Sequence, residues 1–131
     1  MEQVKNAKMG EEGFKAVVVE KYGRNIRNAI KFIEENYMEE LLLEDMCMYA
    51  MISRTYFCIA FKEITGMTFS KFVVHVRIER AKEFLKNTDL QIGAICHRVG
   101  FNEVSHFCRT FKKLTGISAK EYRADNRKRD T

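Results

Sequence analysis

The chain has 131 residues, 46% hydrophobic and 31% charged, with a net charge of +5 and no proline. That length supports one domain or two very small ones, and the apolar fraction excludes a disordered chain. No run of about 18 apolar residues is present, which excludes a membrane-spanning helix, and no leader pattern marks the start, so the expected location is the cytoplasm.

The alternating apolar pattern of strands is absent, and an all-α fold is expected. In residues 1–24 the charges alternate in sign (Glu2, Lys5, Lys8, Glu11, Glu12), and Gly10, Gly13 and Gly23 interrupt continuity. A frayed helix, a linker or the remnant of an upstream domain is expected there. The main domain is expected over residues 25–127. Ile26, Ala29, Ile30 and Ile33 recur at helical spacing up to about Tyr37, and Leu43, Met46, Cys47 and Ala50 form a second, short helix. Ser53 reads as the N-cap of a third helix, which buries Tyr56, Phe57, Ala60, Phe61 and Ile64 and stops at Gly66. Residues 41–66 thus read as helix, tight turn, helix.

A long connector helix follows over about 69–87, with an apolar stripe of Phe72, Val73, Val76, Ala81, Phe84 and Leu85, and with Thr68, Ser70 and Thr88 near its ends. Ile92, Ile95, Cys96 and Val99 open a second helix-turn-helix over about 91–116. Gly100 allows its turn, Asn102 is expected to cap the next helix, and that helix buries Phe107 and Phe111 and ends at Gly116. A closing helix over 118–126 packs through Tyr122, and residues 128–131 read as a frayed tail.

The two units are repeats. FKEITG (Phe61–Gly66) returns as FKKLTG (Phe111–Gly116), a period near 50 residues. Leu43 matches Ile92, Met46 matches Ile95 and Cys47 matches Cys96; beyond the turn Cys58 matches Cys108 and Phe61 matches Phe111, so the second unit has one extra residue near its turn. The four cysteines fall into two repeat-equivalent pairs, which follows packing and not disulfide or metal spacing. Residues 25–66 carry a net charge of −3 and residues 91–131 a net charge of +5, so the second half should make more phosphate contacts.

Two helix-turn-helix units in a basic chain predict two consecutive visits to the major groove of double-stranded DNA. On the first recognition helix the core claims Tyr56, Phe57, Ala60 and Phe61, which leaves Arg54, Thr55, Cys58 and Ile59 toward base edges. On the second, Val104, Ser105, Cys108 and Arg109 point outward, with Glu103 beside them. Arg109 can grip guanine O6 and N7, whereas its repeat partner Ile59, with Thr55, can meet only thymine methyls. The opposing reading packs Ile59 on the connector. Ser53, Lys62, Asn102, Lys112 and Lys113 are the expected phosphate contacts, with Arg77, Arg80 and the Arg127–Arg129 cluster as further candidates, a solvated charge run being the leading reading for that cluster.

Cys96, His97, His106 and Cys108 supply metal-ligand types but match no zinc spacing. No glycine-rich phosphate loop, acid pair or nucleophile beside a base is present, so neither an enzyme nor a cofactor is expected. Cys58 and Cys108 would lie on the DNA faces, where oxidation could block binding, although a serine-like role is the simpler reading.

The run IERAKEFLKNTDLQIGAICHRVGFNEVSHFCRTFKKLTGISAKEYR, Ile78 to Arg123, resembles the DNA-binding domain of the AraC/XylS family of bacterial transcription regulators. The resemblance covers about residues 25–127. It implies two homeodomain-like helix-turn-helix subdomains joined by a long helix, which bind promoter DNA, contact RNA polymerase and usually activate transcription. It leaves two arrangements open: the domain stands alone, as in the short members of the family, or it is the C-terminal part of a longer protein with a sensor or receiver domain absent from this chain. The alternative it leaves is a C-terminal fragment that engages RNA polymerase with little DNA specificity of its own. The family often has proline where this chain has Ala119, and serine where it has Cys58 and Cys108.

Overall fold

The computed structural model describes the backbone of residues 2–130 and the side chains of residues 10–127. Among the described residues seven helices follow in order: α1 Glu2–Asn36, α2 Leu43–Ala50, α3 Arg54–Thr65, α4 Phe69–Asn87, α5 Ile92–Arg98, α6 Val104–Thr115 and α7 Ala119–Asp130. No strand occurs among the described residues. The helices form two compact units: residues 1–36 with 41–73, and residues 37–40 with 74–131. The connector helix α4 contributes residues to both.

In the first unit α1 is the main departure from expectation. Gly10 breaks the helical geometry (φ 73°, ψ −176°), but from Glu11 the helix runs without interruption across the boundary expected at residue 24. The cause is an apolar stripe at Phe14, Val18, Tyr22 and Ile26, spaced by four residues, which continues the stripe expected from residue 26 onward. Val18 is 3% exposed. Tyr22 stacks on Tyr56 of α3 at 5.5 Å between ring centroids, and Phe14 approaches the same ring at 6.3 Å. Lys15 Nζ bridges Glu11 and Glu63, each at 3.3 Å. Tyr56 therefore belongs to the α1–α3 contact at 37% exposure, not to the core as expected.

The core of this unit is Ile26, Ala29, Ile33, Met46, Phe57, Ala60, Phe61 and Val73. Phe61 meets Phe57 at 5.5 Å and Phe72 edge-on at 5.3 Å. Burying each such ring contributes roughly 1.5–3 kcal/mol. The Asn25 amide donates to the Ala50 carbonyl at 2.7 Å and so ties α1 to the end of α2.

The second unit repeats the plan. Phe107 packs against Phe101 at 5.2 Å and Phe111 against Tyr122 at 5.6 Å, around buried Ile78, Leu85, Ile95 and Val99. Arginines hold main-chain carbonyls here. Arg77 donates from Nε to Tyr37 O at 2.7 Å and from Nη2 to Glu39 O at 2.8 Å. Arg123 donates to the Leu85 and Thr88 carbonyls at 3.0 and 3.1 Å, and Arg127 to Thr88 O and to Asp89 Oδ1. Burial pulls the Arg77 guanidinium below its ordinary pKa. Arg77 and Arg127, expected among the phosphate contacts, are thus committed to helix ends, whose unpaired carbonyls attract a cation. Arg80 pairs with Glu83 at 3.6 Å and lies over the Tyr37 ring. Helix α7 extends four residues past the expected end at 126. The side chains of the tail at 128–131, including Lys128 and Arg129, lie outside the described residues.

Candidate nucleic-acid interface

Each recognition helix is set by a turn of matching hydrogen bonds. Met51 N–H donates to Met48 O at 3.2 Å and Ile52 N–H to Cys47 O at 3.2 Å; Gly100 N–H donates to His97 O at 3.1 Å and Phe101 N–H to Cys96 O at 3.0 Å. Both turns need a positive φ. Met51 adopts it at 62° and Gly100 at 103°. At Gly100 a side chain is also excluded by space, since a Cβ would lie 2.9 Å from Arg77 Nε and 3.1 Å from Met38 O.

The extra residue of the second unit is Asn102. Helix α3 starts from Ser53, whose Oγ accepts the Tyr56 N–H at 3.3 Å. Helix α6 starts from Glu103, in extended conformation (φ −126°, ψ 133°), with no side-chain cap. The expected cap by Asn102 is absent because the insertion places it one residue too early. Asn102, Glu103 and His106 instead line, with Arg77 and Phe101, an open cavity of about 370 Å³. Both recognition helices end alike, with Gly66 (φ 78°) donating to Lys62 O and Gly116 (φ 88°) donating to Lys112 O.

The outward faces follow from helical register. On α3 the buried stripe is Phe57, Ala60 and Phe61, and Tyr56 and Glu63 turn to α1. The remaining face presents Arg54, Thr55, Cys58 and Lys62, all exposed, with Ile59 half-buried among them. On α6, Phe107 and Phe111 are fully buried and Ser105, Arg109, Lys112 and Lys113 are exposed, with Val104 at 39% exposure and Cys108 half-buried. Neither Arg54, Lys62, Arg109, Lys112 nor Lys113 takes part in an ion pair among the described residues. Glu63, the acid of α3, is neutralised by Lys15. Each unit therefore offers a helix with unpaired cations and short polar or apolar side chains, the set that suits base edges flanked by phosphates.

No group of three or more His, Cys, Asp or Glu side chains converges as a metal site among the described residues, and His106 rests edge-on against Phe101 at 5.5 Å. Among the described residues, no helix is long and apolar enough to cross a membrane.

A family model described as a helix-turn-helix domain matches residues 46–125. The chain belongs to the AraC family of DNA-binding transcription regulators. It is 35% identical over 92 residues to the HTH-type transcriptional regulator YijO of Escherichia coli, covering 70% of this chain and 32% of that one. It is 30% identical over 108 residues to the lactose operon transcription activator of Staphylococcus xylosus, covering 82% of this chain and 39% of the activator. Among solved structures, an AraC-type transcriptional regulator from Chromobacterium violaceum superposes with a TM-score of 0.76 at 29% identity, covering 79% of this chain and 93% of that one. The chain thus spans about a third of the length of the curated relatives it matches, at 32% and 39%.

The observed exposure places Arg54, Thr55, Cys58, Lys62, Val104, Ser105, Arg109 and Lys112 outward, leaves Ile59 and Cys108 half-buried, and turns Tyr56, expected in the core, to α1 at 37% exposure. What sequence reasoning missed is the first turns of α1. The four-residue spacing of Phe14, Val18, Tyr22 and Ile26 was the available signal, and Gly10 and Gly13 before it and Gly23 within it masked it.

Proposed function

We propose that the chain binds promoter DNA sequence-specifically and activates transcription, with α3 and α6 each entering a major groove. Arg109 grips a guanine, assisted by Ser105 and flanked by Val104 and Cys108. Thr55 and Ile59 pack on thymine methyls beside Arg54 and Cys58. Ser53, Lys62, Asn102, Lys112 and Lys113 hold phosphates. The observation that carries this reading is the cation set Arg109, Lys112 and Lys113, exposed and without ion pairs on the helix that follows the Gly100 turn. The sign of regulation is supported by the relative named as a lactose operon activator, and RNA polymerase is the partner an activator requires. The greater length of the relatives supports a sensor or receiver domain as a further partner.

A second reading, a module that contacts RNA polymerase with little DNA specificity, is favoured by one feature. Met48, Tyr49 and Met51 are 77%, 53% and 86% exposed at the first turn. Titrating the chain against a bound promoter fragment and a scrambled one separates the two. Arg109→Ala should weaken the specific complex by about 1–3 kcal/mol and relax one base position, and Thr55→Ala should relax a position in the other half. Equal affinity for both fragments in the unmutated chain refutes the proposal in favour of the polymerase module.

A further inference from the structure

Tyr56 and Glu63 share one flank of the first recognition helix, two turns apart, and both are met by α1. Tyr22 stacks on the Tyr56 ring at 5.5 Å, Phe14 approaches it at 6.3 Å, and Lys15 Nζ reaches Glu63 at 3.3 Å. The second unit has no such brace, although α4 is the counterpart of α1. Ile26, Ala29 and Ile33 return 52 residues later as Ile78, Ala81 and Leu85, all buried. Phe32 packs on Tyr49 at 4.6 Å, and Phe84 lies under Arg98, the counterpart of Tyr49, at 5.9 Å. The same offset turns Tyr22 into Val74 and Lys15 into Met67, which precedes α4. On α6 the flank positions become His106 and Lys113. His106 rests against Phe101 and lines the open cavity with Val74, and Lys113 takes part in no ion pair among the described residues. The charge at this position therefore changes sign between the two heads, and only the negative one is met by a cation.

We propose that Lys15 is a positioning residue of the first reading head, cancelling the charge of Glu63 so that α3 can lie against the DNA backbone. Glu63 is the one acid of α3 and follows Lys62, a proposed phosphate contact. Its side chain keeps 34% of its surface open. Without Lys15 its carboxylate repels the phosphates that Lys62 attracts. Lys15 stands between two acids, Glu11 on its own helix and Glu63 on α3, each at 3.3 Å. The contacts of Phe14 and Tyr22 with Tyr56 hold α1 on the flank, so the ammonium is delivered to Glu63 by the fold. An exposed pair of this kind adds little to stability, so its effect on affinity is separable from folding. The second head needs no such cation, because Lys113 is itself one. The effect on DNA rests on the proposed function; the pairing does not.

The test measures the affinity of the intact chain, by fluorescence anisotropy, for a labelled duplex that the unmutated chain selects from a random library. Lys15→Ala should weaken binding by about threefold or more at low salt, and the loss should shrink as salt rises. Adding Glu63→Gln should restore the affinity. Adding Glu11→Gln instead restores the same net charge by removing the other partner of Lys15, and should not restore the affinity. Ring-to-ring NOEs between Tyr22 and Tyr56 should persist in every variant, which separates loss of the charge from loss of the fold. Unchanged affinity in Lys15→Ala overturns the proposal. Equal rescue by Glu11→Gln reduces the effect to net charge and overturns it too. A loss that Glu63→Gln leaves in place makes Lys15 a phosphate contact of its own, with the same consequence. Absence of the Tyr22–Tyr56 NOEs in the unmutated chain overturns the brace whether or not DNA binds. A chain that shows the NOEs and binds no duplex sinks the proposed function, and Lys15 is then a structural residue only.

Discussion

Replacing Gly100 by alanine perturbs the second turn in two ways that the structure separates. At φ 103° an L-residue is strained, which costs about 1–2 kcal/mol. The added Cβ also meets Arg77 Nε at 2.9 Å and the Met38 carbonyl at 3.1 Å. The guanidinium cannot yield freely, because it is pinned to Tyr37 O and Glu39 O at 2.7 and 2.8 Å. Displacing it weakens charge-assisted bonds that contribute roughly 1.5–3 kcal/mol. Against this, alanine lowers the entropy of the unfolded chain and returns about 0.4–1 kcal/mol. The net expectation is a loss of about 2–4 kcal/mol. Its repeat equivalent gives the control. Met51 sits in the left-handed well at φ 62°, ψ 37° with its side chain 86% exposed, so Met51→Gly relieves strain, loses little packing and should stay within about 1 kcal/mol of the parent. Urea unfolding followed by far-UV circular dichroism measures both. A Gly100→Ala cost below about 1 kcal/mol, or one matched by Met51→Gly, would refute the close-approach argument.

Three further expectations follow from the geometry. Val18→Ala should destabilise the first unit by about 1.5–2.5 kcal/mol from lost burial and a residual cavity, while the neighbouring Val17→Ala, at 45% exposure, should cost under about 0.5 kcal/mol; equal effects in urea unfolding would remove α1 from the core. Ser53→Ala should cost about 0.5–1 kcal/mol through its cap on Tyr56, and Asn102→Ala far less, since Asn102 caps nothing; the same unfolding assay reads the difference. Lys112→Ala should weaken DNA binding for all sequences and lower the slope of log affinity against log salt by about 1, and an unchanged slope would remove it from the phosphate set.

The repeats were legible because they are written in side chains that punctuate helices. Gly66 and Gly116 stop them, Ser53 starts one, and the Phe57–Phe61 and Phe107–Phe111 spacings mark the buried faces. The single extra residue was legible as a change of offset, but not its position: Asn102 is the better cap by residue type, and only the backbone conformation shows that the helix begins from Glu103, whose side chain caps nothing. Tyr56 read as core because helical register cannot say which element fills a flank, and its partner, the early part of α1, was hidden behind Gly10, Gly13 and Gly23. Arg77 read as a free cation because its acceptors are main-chain carbonyls, which leave no mark in a sequence, and Arg127 because Thr88 O and the Asp89 carboxylate lie 39 and 38 residues away in the chain. The outward residues of α3 and α6 came through because exclusion from a buried stripe is itself a sequence property.

The central claim is that both recognition helices of this one chain read DNA. Selection from a random duplex library with the purified reduced chain, read by sequencing, tests it most directly. The account predicts an asymmetric motif in two parts about one helical turn apart, roughly 10 base pairs, a guanine contact in one part that disappears with Arg109→Ala, and thymines in the other that relax with Thr55→Ala. Enrichment of a single part, or of no motif at all with affinity that collapses in salt, would contradict it.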